Sequence, residues 1–455
     1  MLASPLISLA VVLFVFRWLA AGALVLGLGA GAARAQGAGQ PTLGPLPAVA
    51  PAEPASLRAL PDFLAVAYAQ SPLLGDLRNQ VLQNRLDSLR RKAQNGVQVA
   101  GIGAAVASPS ITNSSGEQVI GYDQAVSNGG NYATFGQATK PVLNRFQLQT
   151  DYRILGNQGL VLRNTGRLSA LDLRRSVTDQ FLMAYAAQLQ FDFSRTLLGQ
   201  LRQQDQQLRQ LVNAGVFKQT QYLSFYLSVH TQEVTVEQNR LGYRRELGTL
   251  RYLCGVADTA LVALAVPGAP VRRPLAGLGS ITQRQYTLDS LRYQLDRQAV
   301  DASYRPKLSA VLDAGIQSSQ PGLLALGHST GLGAGFLLAL PIFDGHQRQL
   351  QYQRIDLGER SRRGYRQFLT VQRQQQYDQL GALIQASEAL AARIREQLRV
   401  AEALVGAARQ QLATGDVMIL DYLNLVTSYR TLQFSLTQAE TDRLRSQYAL
   451  DYLAE

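Results

Sequence analysis

The strongest constraint on this chain is an internal duplication at an offset of 200 residues. Pro141 and Pro341 each begin a long tract without proline, and Gly215 and Gly415 occupy equivalent places further along the two tracts. The other matches at this offset are Tyr222-Leu223 with Tyr422-Leu423 and Tyr252-Leu253 with Tyr452-Leu453. A repeated unit that cannot bury its apolar face alone packs against its copy. We therefore expect one fold built from two copies of a single unit.

The N-terminus has the features of a secretory signal peptide, predicted over residues 1–35. Two apolar blocks flank Arg17, and Ala33-Arg34-Ala35 supplies a small-x-small cleavage pattern. A permanent membrane anchor is the alternative, because the two blocks together are long enough to span a bilayer. Residues 36–56 are rich in Ala, Gly and Pro, which indicates a flexible lead-in.

Composition argues against several classes of function. The net charge of +12 is typical of nucleic-acid binding, but no RNA- or DNA-reading motif accompanies it, and we predict no nucleic-acid partner. Cys254 is the single cysteine, so packing rather than disulfides must hold the exported fold. The three histidines are scattered without ligand spacing, and no acid, base and nucleophile cluster in the sequence. We therefore expect a protein that is not an enzyme and that binds no metal and no cofactor.

Each copy shows the same order of elements: helix, β-hairpin, very long helix, tight turn and return helix. Apolar spacing predicts the first helix over residues 57–95, and proline is suited to the first turn of each long helix. In the first repeat (57–266) we predict a β-hairpin at about 97–140, a long helix at 141–212, a tip at 213–218 and a return helix at 219–253. After a linker at 267–282, the second repeat (283–455) has a β-hairpin at about 307–340, a long helix at 341–412, a tip at 413–417 and a return helix at 418–453.

The predicted strands have a consequence for assembly. Two hairpins supply only four strands, which cannot close a barrel because two edges stay unpaired. If the strands lie in a bilayer, several chains must contribute to one closed sheet. The sequence thus predicts an oligomer.

Two groups of motifs resemble the TolC-like outer-membrane efflux protein family. The first group is Tyr304-Arg305-Pro306-Lys307-Leu308 followed by Leu340-Pro341-Ile342-Phe343-Asp344-Gly345. The second is Gly415-Asp416-Val417-Met418-Ile419-Leu420-Asp421-Tyr422-Leu423, which matches the family's helical-hairpin tip. The resemblance covers essentially the whole mature chain, including the duplication.

The resemblance implies a mainly α fold with a small β part, assembled as a homotrimer. Twelve strands would form an outer-membrane β-barrel, continued by a periplasmic α-helical barrel in a Gram-negative bacterium. Such proteins are passive exit ducts of tripartite efflux or type I secretion systems. Their partners are a periplasmic adaptor, an inner-membrane transporter and outer-membrane lipids. A periplasmic coiled-coil scaffold or adaptor without a membrane barrel is the alternative.

The resemblance also marks a candidate pore constriction near the second tip. Asp421 matches an inward aspartate of the family, and Asn424 stands where a second acid is often found. Three copies of Asp421 around an axis would favour cations over anions. The alternative is that Asp421 stabilises the start of its helix through the helix dipole. The family's gate-locking tyrosine and arginine have no match here, because Leu412 and Val417 fill those places.

The two tips are candidates for docking the adaptor. Exposed Phe217 and Met418 would be unusual on a free hairpin unless something covers them. The alternative for both is packing against the neighbouring hairpin. The candidate residues are Gly215, Val216, Phe217, Lys218, Gly415, Asp416, Val417 and Met418.

Overall fold

The computed structural model describes residues 58–106, 111–115, 118–120, 131–270, 273–275, 280–318 and 330–455. Its helices are α1 (Leu60–Gln70), α2 (Pro72–Gln94), α3 (Arg145–Asn213), α4 (Gln219–Cys254), α5 (Ile281–Ser303), α6 (Gln347–Thr414) and α7 (Ile419–Ala454). Its strands are β1 (Gln98–Val106), β2 (Ile111–Thr112), β3 (Gln118–Ile120), β4 (Asn131–Pro141), β5 (Lys307–Ser318) and β6 (Thr330–Ala339). This mainly helical fold with a small antiparallel sheet confirms the coarse part of the predicted fold class. The predicted signal peptide and lead-in, and the alternative anchor, lie outside the described residues.

The helices lie side by side, with each return helix packed against its own long helix. Helix α3 packs against α4 and also against α7 and α5, whereas α6 packs against α7 and α5. In space, the start of helix α5 meets the end of α7, where the Ile281 N–H donates to the Glu455 carbonyl at 3.2 Å. The main contacts give the lateral order α4, α3, α7, α6, with α4 and α6 at the two outer positions, and α4 also contacts α7 near the tips.

A buried arginine fastens the junction between α7 and α5. The Arg373 guanidinium of α6 donates to Ser280 Oγ and to the Leu453 carbonyl, each at 2.5 Å. Only 5% of Arg373 is exposed, and burial lowers its pKa. A buried cation held by two hydrogen bonds fixes the position of α6 against both helices.

The four longer strands form one antiparallel sheet in the order β1-β4-β5-β6, and β2 and β3 pair separately. Gln98 lies opposite Thr139 in the first hairpin, and Lys307 lies opposite Ala339 in the second. Pairing of β4 with β5 joins the two hairpins, with Lys140 opposite Ala310. The two halves thus share one sheet, whose edges are β1 and β6.

The long helices begin later than the sequence predicts, and neither proline lies in a first turn. Pro141 is the last residue of β4, opposite Ser309, and α3 begins at Arg145. Proline lacks a backbone N–H, and at the end of a strand no ladder hydrogen bond is lost. Proline therefore fits there as well as at the start of a helix. Before α6, the Asp344 carboxylate accepts from the backbone N–H groups of His346 and Arg348 at 3.0 and 2.8 Å, which delays the helix to Gln347.

Three other features complete the described fold. The helical segment expected over residues 57–95 is two helices, because Ser71 before Pro72 is extended and caps α2 instead. Cys254 ends α4 with 1% exposure, and burial raises the pKa of its thiol to about 12, as befits a packed side chain. No helix among the described residues combines the length and hydropathy of a membrane span.

Candidate functional site

The two hairpin tips have the same backbone design. Gly215 and Gly415 adopt φ of +79° and +83°, the left-handed conformation that ends a helix at low cost in glycine. The Val216 N–H then donates to the Leu211 carbonyl, and the Asp416 N–H donates to the Gln411 carbonyl, both at 2.9 Å. The duplication therefore extends to individual hydrogen bonds of the turn.

The tips pack against each other within one chain. A Cβ added to Gly415 would lie 2.8 Å from Val216 Cγ1, so the second tip needs glycine for close approach as well as for its φ. Beneath them, Phe225 and Tyr422 stack with ring centroids 6.5 Å apart, and burial raises the pKa of Tyr422. The same buried cluster includes Leu208, Phe217, Leu412 and Ile419.

Phe217 is buried rather than exposed, which favours the alternative that it packs against the neighbouring hairpin. It retains 9% exposure among residues of both tips, so its contact is with the neighbouring hairpin. Val216 and Met418 are 48% and 64% exposed, and Val417 is partly buried. Gly215, Lys218, Gly415 and Asp416 are exposed. The outer surface of the tips is thus formed by the docking candidates other than Phe217, with Val417 contributing in part.

Truncation of Phe217 should lower the stability of the fold and leave the outer surface of the tips largely unchanged. We expect Phe217→Ala to cost about 3 kcal/mol, because a large buried ring leaves a cavity. Met418→Ala, on exposed surface, should change stability by less than about 0.5 kcal/mol. Denaturant unfolding followed by circular dichroism compares the two variants. Equal, small losses would mean that Phe217 is not held in the tip cluster.

Asp421 and Asn424 lie in the first turns of α7, with both side chains exposed. They are three residues apart, so they occupy one face of the helix. In the first copy, the Gln221 side-chain oxygen accepts from the Lys218 N–H at 3.2 Å at the start of the return helix. In the second copy, the equivalent residue Met418 has no side-chain cap. Within the described residues the Asp421 carboxylate has no hydrogen-bond or ion-pair partner. It lies in the first turn of its helix, where the helix dipole favours an acid.

The sheet carries most of its apolar side chains on one face and most of its polar side chains on the other, with Phe135 and Leu337 among the apolar exceptions on the polar face. Because neighbours along a strand alternate between faces, the register places Val99, Ala138, Leu312 and Ala334 side by side. Leu332 and Phe336 extend this apolar face and are 89% and 76% exposed. The polar residues of the opposite face are Gln98, Gln137, Thr139, Ser309, Asp313 and Gln317.

The sequence matches no protein-family model and no curated protein. Several solved structures of outer-membrane channels are nevertheless similar over most of their length. The outer-membrane channel OprN gives a TM-score of 0.70 at 12% identity, covering 87% of this chain and 89% of that one. The outer-membrane protein VceC of Vibrio cholerae gives 0.67 at 12% identity, covering 87% and 94%. The open MtrE outer-membrane channel of Neisseria gonorrhoeae gives 0.68 at 12% identity, covering 87% and 88%.

This chain has the TolC-like outer-membrane channel fold. Identities this low establish the fold and leave the activity to be argued from the residues.

In this TolC-like fold, α4 carries an apolar stripe on the side opposite its buried face. Leu227 is 67% exposed and lies two residues from both Phe225 and Val229, which are buried. Two residues correspond to about 200° around a helix, so the exposed and buried stripes are nearly opposite. The exposed stripe consists of Leu223, Leu227, Val234 and Leu241. At the other outer position, α6 exposes Leu350, Leu357, Phe368, Val400 and Leu404.

A polar cluster above the first tip was missed by the sequence reasoning. Arg209 of α3 donates through Nε to the Tyr222 hydroxyl at 2.7 Å and pairs with Asp205 at 2.9 Å. Desolvation raises the pKa of Tyr222, against the lowering effect of the Arg209 hydrogen bond. The signal for it was present, because Arg209 and Tyr222 recur as Arg409 and Tyr422 at the repeat offset. The cluster ties the two helices of the first hairpin together.

Proposed function

We propose that three copies of this chain assemble into an outer-membrane exit duct of a Gram-negative bacterium. The observation that carries the proposal is the sheet, which has one mainly apolar exposed face, one mainly polar face and two unpaired edges. Its strands of 9, 11, 12 and 10 residues fit a bilayer, which needs about 9–11 residues per tilted strand. Exposed strand edges inside a membrane require closure into a barrel. The apolar face would then meet lipid and the polar face the lumen.

The number of copies follows from the size of the barrel. Two copies would supply about eight strands, whose interior is largely filled by side chains. Three copies supply about twelve, which leaves a water-filled passage. The strand order β1-β4-β5-β6 lets β6 of one copy pair antiparallel with β1 of the next.

The helices support the same assembly below the membrane. The exposed stripe of α4 and the exposed apolar side chains of α6 lie at opposite ends of the lateral order within one copy. In a ring of copies they would face each other and bury in a single-layer helical wall. That wall would continue the barrel into the periplasm as a conduit.

We further propose that the duct is passive and serves a tripartite efflux or type I secretion system. Its tips would dock a periplasmic adaptor, which links it to an inner-membrane transporter. The named similar structures are outer-membrane proteins, and OprN and MtrE are described as channels. A conduit of this kind needs no catalytic group.

Single-channel recording tests the duct directly. Purified protein in planar bilayers should give discrete conductance steps, and the protein should remain in washed membranes until detergent is added. A protein that washes off membranes and gives no steps would favour the periplasmic scaffold instead.

Tip docking predicts a loss of export without a loss of assembly. Val216→Asp/Met418→Asp places charges on the exposed apolar surface of the tips and should abolish most export. Gln200→Asp/Gln203→Asp places two charges at exposed positions of α3, which lies inside the lateral order and away from the tips, and is the matched control. Export assays combined with native mass measurement compare the variants. Normal export by the tip variant would remove the docking proposal.

Asp421 is proposed to set ion preference at the periplasmic entrance. Asp421→Asn should reduce the preference for cations severalfold with trimers intact, because it removes three charges from a narrow throat. Asp416→Asn removes the same charge from a carboxylate bonded to Thr414 at 2.6 Å, and it should have a smaller effect. Reversal potentials in salt gradients measure both. An unchanged reversal potential for Asp421→Asn would leave this residue with the helix-dipole role alone.

A further inference from the structure

We propose that the junction between the sheet and the long helices binds headgroups of anionic phospholipids in the leaflet next to the helices. The junction belt is defined by two cations, Lys140 and Arg145, and three apolar residues, Leu143, Ile342 and Phe343. The proposal rests on the membrane-spanning sheet proposed above and adds the lipid class that the protein selects.

The sheet register brings these residues to one end of the barrel wall. Lys140 lies opposite Ala310, near the end of its strand. The Val142 and Leu143 N–H groups both donate to the Leu308 carbonyl, at 2.8 and 3.1 Å. The chain leaving β4 is therefore held against the start of β5.

Lys140 also has the correct face for a lipid contact. It continues the row of β4 residues that includes Ala138 and lies on the apolar side of the sheet. A lysine that ends an apolar, lipid-facing row can keep its stem along the hydrocarbon and its ammonium among headgroups.

The apolar members of the belt expose much of their surface. Ile342 and Phe343 are 91% and 82% exposed, and Leu143 is 55% exposed. They follow directly after strand ends, at the depth where aromatic and aliphatic side chains enter the membrane interface. Burial there would remove most of this apolar surface from water.

The two cations are left without protein partners. In the part of the chain that the structure describes, Lys140 and Arg145 make no ion pair. The nearest acid to them along the described chain, Asp151, already accepts from Arg91 Nε at 2.7 Å. Unbalanced positive charge beside exposed apolar groups matches a phosphatidylglycerol-type headgroup rather than a zwitterionic one.

A tryptophan placed in the belt can report which lipid lies beside it. Trp18, the single tryptophan of the sequence, lies in the predicted signal peptide, so Trp18→Phe/Phe343→Trp leaves one indole, at the junction, whether or not that segment is removed. The full-length protein is reconstituted in phosphatidylcholine vesicles containing either brominated phosphatidylglycerol or brominated phosphatidylcholine, and quenching is compared. We expect a preference for the anionic lipid of roughly fivefold or more, since each engaged cation contributes about that factor.

Neutralising the belt should remove this preference. Lys140→Gln/Arg145→Gln in the reporter background should quench equally with both lipids and still form channels. Arg244→Gln/Arg393→Gln removes the same charge from exposed, unpaired arginines of α4 and α6 and should keep the preference. Raising the salt concentration to about 0.5 M should weaken the preference for the anionic lipid, because the attraction between cations and headgroups is screened.

Three results would overturn the proposal. Equal quenching by both lipids in the unmodified belt would show no selectivity, and loss of the preference in the arginine control would assign it to net charge. Abolition by free phosphate at constant ionic strength would indicate a site for a free anion instead of a lipid. Conductance measured on the same samples separates these outcomes from failure of the duct itself.

Discussion

Leu312→Arg is expected to prevent assembly in a bilayer, whereas Val311→Arg, one residue earlier, should leave channels intact. Leu312 lies near the middle of β5 on the apolar face, where 59% of it is exposed in a single chain. An arginine facing lipid near the midplane costs about 2–4 kcal/mol per chain, and each of the three copies would carry it.

Val311 provides the matched control because it is on the opposite face at nearly the same depth. It shares the polar face with Asp313, so an arginine there would point into water and near a carboxylate. Vesicle insertion and trimer yield after refolding measure the two variants. Equal loss in both would mean that the sheet does not have one lipid face and one water face.

Leu227→Glu is expected to have the second large effect, dissociation of the trimer. The proposal buries Leu227 against the next copy, and a buried charge without a partner costs roughly 3–5 kcal/mol. Thr235→Glu adds the same charge at a partly exposed position of α4 that lies on neither the apolar stripe nor the buried one.

Native mass measurement across a dilution series in detergent compares these variants. The Thr235 variant should remain trimeric at concentrations where the Leu227 variant is monomeric. If both dissociate alike, the stripe of α4 does not form the contact between copies.

The elements that depend on local signals could be predicted from the sequence. Gly215 and Gly415 mark the tips because a left-handed turn after a helix strongly favours glycine, wherever the helix packs. The alternation of Leu308, Ala310 and Leu312 identified β5 because side chains alternate along any strand. In both cases the residues within a few positions contain the information.

The features that could not be predicted depend on contacts between distant residues. Pro141 suits a helix start and a strand end equally well, and its pairing opposite Ser309 decides between them. The burial of Phe217 could not be decided locally because its covering residues, such as Leu412 and Ile419, belong to the other copy of the repeat. The Arg209–Tyr222 contact likewise crosses from one helix to the next. The repeat offset alone linked such positions, and it indicated equivalence rather than contact.

The central claim, that the open edges of the sheet join three copies, is tested most directly by disulfide cross-linking between β1 and β6. Val99→Cys is combined in turn with Leu332→Cys, Ala334→Cys, Phe336→Cys or Leu338→Cys, which share its face; Cys254 is buried and does not compete. Within one chain β1 and β6 are separated by two strands, about 14 Å, so a disulfide can form only between copies. We predict that at least one pair gives, on a non-reducing gel, a cross-linked series that ends at three chains. A series that ends at two, continues beyond three, or is absent for every pair would contradict the account.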